Sequence, residues 1–93
     1  MPPVQRSPMT GSALLERATR VLRDRRGVYG EPIELFEQVA MRWSLVLGIE
    51  VTPAQAVLCL IDVKMARLAR DPKHLDSQVD LAGYAACLGE VTK

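Results

Sequence analysis

The stretch TPAQAVLCLIDVKMARLAR, residues 52 to 70, decides the fold. Thr52 is placed to cap a helix, Gln55 to reach back to it, and Pro53 fills the first helical position, where its missing N–H costs nothing. Val57, Leu58, Leu60, Ile61, Val63, Met65 and Leu68 then cover most of the circumference of a helix running from Ala54 to about Arg70. A helix apolar on nearly every side is central in a bundle or lies between subunits. No alternating run of useful length occurs elsewhere in the chain, so no sheet is expected to cover it.

Working outward, the neighbouring segments supply the helices that this one needs. Upstream, Phe36, Val39, Ala40, Trp43, Val46 and Leu47 recur at helical spacing, with Pro32 suited to the first position and Gly48 to the C-terminal stop. Before that, Leu14, Leu15, Ala18, Val21 and Leu22 form another stripe, capped by Ser12 and stopped at Gly27. Downstream, Asp71-Pro72 breaks the central helix. Asp76 or Ser77 caps a fourth, whose core side is Val79, Leu81, Ala82, Ala85, Ala86 and Leu88. The expected fold is all-α, a small antiparallel bundle of about four helices. Residues 1–10 form a proline-rich, disordered tail in which Met9 is an alternative start, and residues 11–93 form a single helical domain.

Size and charge narrow the function. A chain of 93 residues buries only about 60–65% of its unfolded surface, and the few aromatics leave a thin core, so a homo-oligomer is expected. Twelve Lys and Arg against 11 Asp and Glu leave a net charge of +1, which argues against a DNA- or RNA-binding protein reliant on cationic excess. The longest apolar run, Ala56 to Ile61, is far short of a membrane span. With no secretory signal, and with Cys59 and Cys87 inside apolar helical patterns, the reading is a cytoplasmic protein with two buried free thiols.

Three polar features stand out. The turn Gly27-Val-Tyr-Gly30, flanked by Arg25 and Arg26, leads into a helix start and suits either a phosphate or an ordinary inter-helix corner. Lys64 and Arg67 lie three apart within the most apolar helix, where long cations snorkel, pair with a neighbouring carboxylate or meet an anion. Asp76, Asp80 and Tyr84 recur at i, i+4 and i+8 along the fourth helix. Asp80 is suited either to a salt bridge with Lys64 or Arg67 or, with Asp76, to Mg²⁺. Glu31, Glu34 and Glu37 read as a solvated face or as the remaining metal ligands. Trp43 reads as core and His74 as a surface residue.

Taken together, Arg26-Gly-Val-Tyr-Gly-Glu-Pro32, Trp43, Lys64-Met-Ala-Arg67-Leu and Asp76-Ser-Gln-Val-Asp80-Leu-Ala-Gly-Tyr84-Ala resemble a small uncharacterised all-helical family common in bacteriophages and prophages. More distantly the chain is similar to nucleotide-modification-associated helical domains and to all-α nucleoside triphosphate pyrophosphohydrolases of the MazG type. The first likeness implies a phage-type genome but no activity. The cations, aromatics and helix N-terminus suit a phosphate and a base, so the expectation is a phage-type protein that binds a nucleotide, with sequestration of a cyclic or ADP-ribose-type immune signal of the bacterial host as its use. Lys64, Arg67 and Arg26 would meet phosphates, Tyr29 or Tyr84 would stack or hydrogen-bond, and Asp80, with Asp76 nearby, would orient the cations or accept from ribose or base. Such a sponge requires no cofactor and no catalytic residue. The second likeness implies Mg²⁺-dependent hydrolysis, with Glu34, Glu37, Asp76 and Asp80 holding the metal. Glu34 and Glu37 match the Glu-x-x-Glu pair of those hydrolases, but Asp76 and Asp80 are four apart where their second pair is three apart. A third reading is a structural or adaptor bundle whose polar residues only knit it together.

Overall fold

The computed structural model describes residues 9–93. The tail proposed over residues 1–10 therefore lies almost wholly outside them. Four helices follow in chain order: α1 (Gly11–Tyr29), α2 (Pro32–Leu47), α3 (Pro53–Arg70) and α4 (Leu75–Val91). No strand occurs among the described residues, as the absence of alternating patterns predicts.

The local signals around α3 act as read. Thr52 accepts the Gln55 backbone N–H at 3.1 Å, and the Gln55 side chain accepts the Thr52 N–H at 2.9 Å, so two otherwise unpaired donors are satisfied reciprocally. Pro53 and Pro32 occupy the opening positions of their helices. Gly48 ends α2 at φ 72°, in the left-handed region. The short link to α3 is pinned by Ser44, whose hydroxyl donates to the Ala40 carbonyl at 2.7 Å and accepts the Val51 N–H at 2.8 Å.

Three helix ends differ from expectation. Thr10, not Ser12, caps α1, accepting the Ala13 N–H at 3.1 Å. Both residues are good caps, and the earlier one lets the helix begin sooner. Gly27 does not stop α1, which continues to Tyr29 and closes on Gly30. A single helical glycine costs about 1 kcal/mol and does not by itself end a helix that has favourable residues on either side. At α4 the cap is neither Asp76 nor Ser77 but His74. Its Nδ1 accepts the Ser77 N–H at 3.2 Å and lies 2.7 Å from the Ser77 hydroxyl, which donates to it when the ring proton is on Nε2. His74 is therefore a half-buried capping residue rather than a surface one, and Ser77 beneath it is fully buried.

The core gathers Phe36, Val57 and Cys87, with Leu22, Leu35, Val39, Leu60, Ile61, Tyr84, Leu88 and Val91 packed around them. α3 places Ala56 and Val57 at the centre with no exposure at all. Its far side, expected to be covered, is open: Leu58, Val63 and Met65 are about half exposed. The stripe of α2 is likewise interrupted. Phe36 and Ala40 are buried and Trp43 is half-buried, but Val46 and Leu47 are exposed. Cys59 lies on the open side of α3 and is exposed, so only Cys87 is the buried thiol expected of both.

Candidate functional site

The sequence of α1 carries Arg25, Arg26 and Tyr29 in its last turns, and Gly30 turns the chain immediately into α2. That corner holds the three side chains beside α4, where Asp80, Gly83, Tyr84 and Cys87 follow one another at helical spacing on one face. Between them lies a cavity of about 280 Å³, close in size to the smaller ligand pockets of proteins. Its floor is Phe36, Val79 and Cys87, with Leu60 from α3, and its rim is Arg25, Arg26 and Tyr29.

Gly30 has φ 83° and ψ −165°, a region that only glycine visits without strain. Gly83 contributes differently. A Cβ built there would meet nothing within 4 Å, so the missing side chain is part of the cavity's volume.

The polar chemistry centres on Asp80. Lys64 Nζ reaches Asp80 Oδ2 at 2.7 Å, and the two side chains retain only 14% and 10% of their exposure. A cation in an apolar helix needs such a partner, because a buried charge left alone costs several kcal/mol. Arg25 stands 3.9 Å from Asp80 Oδ1, and Arg26 Nε is 3.4 Å from Glu31 Oε2 at the surface. Both guanidiniums are about half exposed and remain available to an anion at the rim. At the floor, burial pushes the Cys87 thiol above its ordinary range. Glu90 adds to that rise, and Arg25 and Arg26 oppose it. The thiolate is the nucleophilic form, so a maleimide at neutral pH should label Cys59 quickly and Cys87 slowly. Intact-mass spectrometry should resolve one fast and one slow adduct, and equal rates would contradict this arrangement.

Of the residues expected to bind a ligand, Arg26, Tyr29, Asp80 and Tyr84 line the cavity. Lys64 reaches it only through Asp80. Arg67 and Asp76 lie elsewhere. Arg67 is exposed and borders a shallow cleft with Arg70, Asp71 and His74, and Asp76 is exposed in the first turn of α4. Among the described residues no three His, Cys, Asp or Glu side chains gather as metal ligands, so Glu34, Glu37, Asp76 and Asp80 do not converge. The cavity adds Gly83 and Cys87, which the sequence does not single out as ligand contacts, and Arg25, which the sequence names only as a flank of the Gly27–Gly30 turn.

This arrangement of Tyr29-Gly30 corner, Lys64–Asp80 pair and Gly83-Tyr84 face lies within the stretch that matches a known protein family, residues 13–92. The chain belongs to DUF6378, a domain of unknown function. Similar proteins occur in mycobacteriophages. The chain is 34% identical over 80 residues to the Gene 55 protein of Mycobacterium phage D29, covering 85% of this chain and 53% of that protein. It is 33% identical over 78 residues to the Gene 55 protein of Mycobacterium phage L5, covering 82% of this chain and 50% of that protein. The chain thus spans about half the length of these two relatives. No solved structure matches it. Among the described residues no helix is long and apolar enough to cross a membrane.

Proposed function

We propose that the domain is a phage-type binding protein whose cavity takes a nucleotide or nucleotide-derived small molecule, and that it sequesters such a signal of the bacterial host in the host cytoplasm. One observation carries this reading. A largely apolar cavity opens beside a buried carboxylate held by Lys64, with Arg25 and Arg26 at its rim. Apolar walls with a few placed polar groups suit a planar ring, and two guanidiniums suit a phosphate. The phage relatives support the setting. The domain works as a homo-oligomer, a state favoured by the exposed Leu45, Val46 and Leu47 at the end of α2, which keep 79%, 82% and 61% of their exposure.

The test is capture followed by release. The protein is incubated with nucleoside mono-, di- and triphosphates and with cyclic and ADP-ribose-type nucleotides, with Mg²⁺ or with chelator. Free ligand is filtered away, the protein is heat-denatured, and the released material is analysed. A ligand captured and returned intact in both conditions is the expected result. A product shortened only with Mg²⁺ would replace this reading with a pyrophosphohydrolase, and capture of nothing would leave a structural or adaptor role. Sedimentation of the same preparation measures the oligomer.

A further inference from the structure

The cavity changes character from floor to rim. Phe36, Val79 and Cys87 keep 4%, 4% and 7% of their exposure, whereas the side chains of Arg25 and Arg26 keep 54% and 48%. No cation lines the floor. A phosphate driven there would lose its water without gaining a partner, which is prohibitive for a charged group, whereas an aromatic ring gains by the same move. Asp80 stands between the two zones. Its Oδ2 is occupied by Lys64 at 2.7 Å, and Arg25 approaches Oδ1 only to 3.9 Å, beyond hydrogen-bond range. One oxygen of a nearly buried carboxylate therefore remains to accept a proton donor from whatever enters.

From this gradient we infer that a nucleotide enters ring-first. The base lies against Phe36 at the floor, a base N–H donates to Asp80 Oδ1, and the phosphate stays at the rim with Arg25 and Arg26. Lys64 is a positioning residue that fixes the carboxylate's orientation. The inference rests on the nucleotide reading above and adds to it the direction of entry and the group that reads the base. At about 280 Å³ the cavity has room for a base.

Cys87 at the floor reports on depth. In the full chain carrying Cys59→Ser, the rate of Cys87 alkylation by N-ethylmaleimide is followed by intact mass. The probes are the four ribonucleosides, their 5′-monophosphates and inorganic phosphate, and equilibrium dialysis of the monophosphates runs in parallel. At tenfold excess over its dissociation constant, a bound monophosphate slows alkylation by about tenfold, because only the free protein reacts. The matching nucleoside gives the same protection at concentrations about tenfold to a hundredfold higher, the factor expected for charge-assisted bonds to phosphate. Inorganic phosphate at the same concentration changes nothing. Arg25→Ala with Arg26→Ala erases the difference between nucleoside and monophosphate. Protection by inorganic phosphate alone, or a monophosphate that binds in dialysis without slowing Cys87, overturns ring-first entry and leaves nucleotide binding standing. Absence of binding by every monophosphate in dialysis overturns ring-first entry, whereas the nucleotide reading falls only if the capture assay also retains no di- or triphosphate and no cyclic or ADP-ribose-type nucleotide.

Discussion

Asp80→Ala should lower the stability of the domain by about 3 kcal/mol, the low end for breaking a buried ion pair, measured as a shift of the urea denaturation midpoint. Removing the carboxylate leaves the Lys64 ammonium, only 14% exposed and 2.7 Å from the vacated position, without its counter-charge. Arg25 suffers little, because its guanidinium is half exposed and turns to water. A domain of this size has about 5–14 kcal/mol in total, so the loss is a large fraction of what holds it. Lys64→Met combined with Asp80→Leu should behave oppositely. Replacing both charges with apolar groups of similar volume removes the desolvation cost with the attraction, and the double variant should match or exceed the parent. A single variant indistinguishable from the parent would show that the pair is solvated in solution. A double variant as weak as the singles would show that the surrounding helices require the charges. The cycle also separates roles, since the double variant should fold and yet capture no nucleotide, having lost the acceptor at Asp80 Oδ1.

Gly83→Leu should abolish ligand capture while making the protein more stable. A helical glycine costs about 1 kcal/mol relative to a good helix former. The space beside Gly83 is open, with no atom within 4 Å of an added Cβ. A leucine gains helix propensity, and its side chain occupies volume that now belongs to the cavity. Gly83→Ala should gain most of the same stability with a much smaller effect on binding, because one methyl leaves room for a ring. Calorimetric melting and the capture assay on the two variants measure both quantities. A Gly83→Leu protein that melts higher and still captures nucleotide would move the site away from this cavity. If it melts lower, the helices close in on this position more tightly than the cavity implies.

What could be read in advance was what is local in the chain. The Thr52–Gln55 box, Pro32, Pro53 and Gly48 act within a few residues of themselves, and each behaves as its chemistry dictates. The His74 cap is hard to read from sequence because imidazole is not among the usual capping groups, Ser, Thr, Asp and Asn. The signal was Ser77 three residues on, whose backbone and hydroxyl both point back at the ring. Of the expected ligand contacts, Arg26, Tyr29, Asp80 and Tyr84 line one cavity because they cluster at one corner and along one helical face. Arg67 falls outside the cavity because residues three apart on a helix still diverge by about 60° and by most of a turn along the axis. That suffices to put Lys64 against Asp80 and Arg67 out in water. Asp76, one turn before Asp80, rests exposed in the first turn of α4. The cavity itself, and the participation of Gly83 and Cys87 in it, depends on which helices sit side by side, and periodicity within one helix carries no such information.

Gly30 bears on how this domain can diversify. Its backbone conformation, φ 83° and ψ −165°, admits essentially no other amino acid without strain. The same residue fixes where Arg26 and Tyr29 stand relative to α2. Substitution at this one codon would tilt the whole rim, whereas conservative exchanges at the floor among Phe36, Val79 and Cys87 reshape the volume enclosed and the core they share while leaving the rim in place. Lineages descended from such a domain therefore have an asymmetric freedom. They can retune what is enclosed one methyl group at a time, while the gateway through which it arrives is inherited intact or lost at a single step.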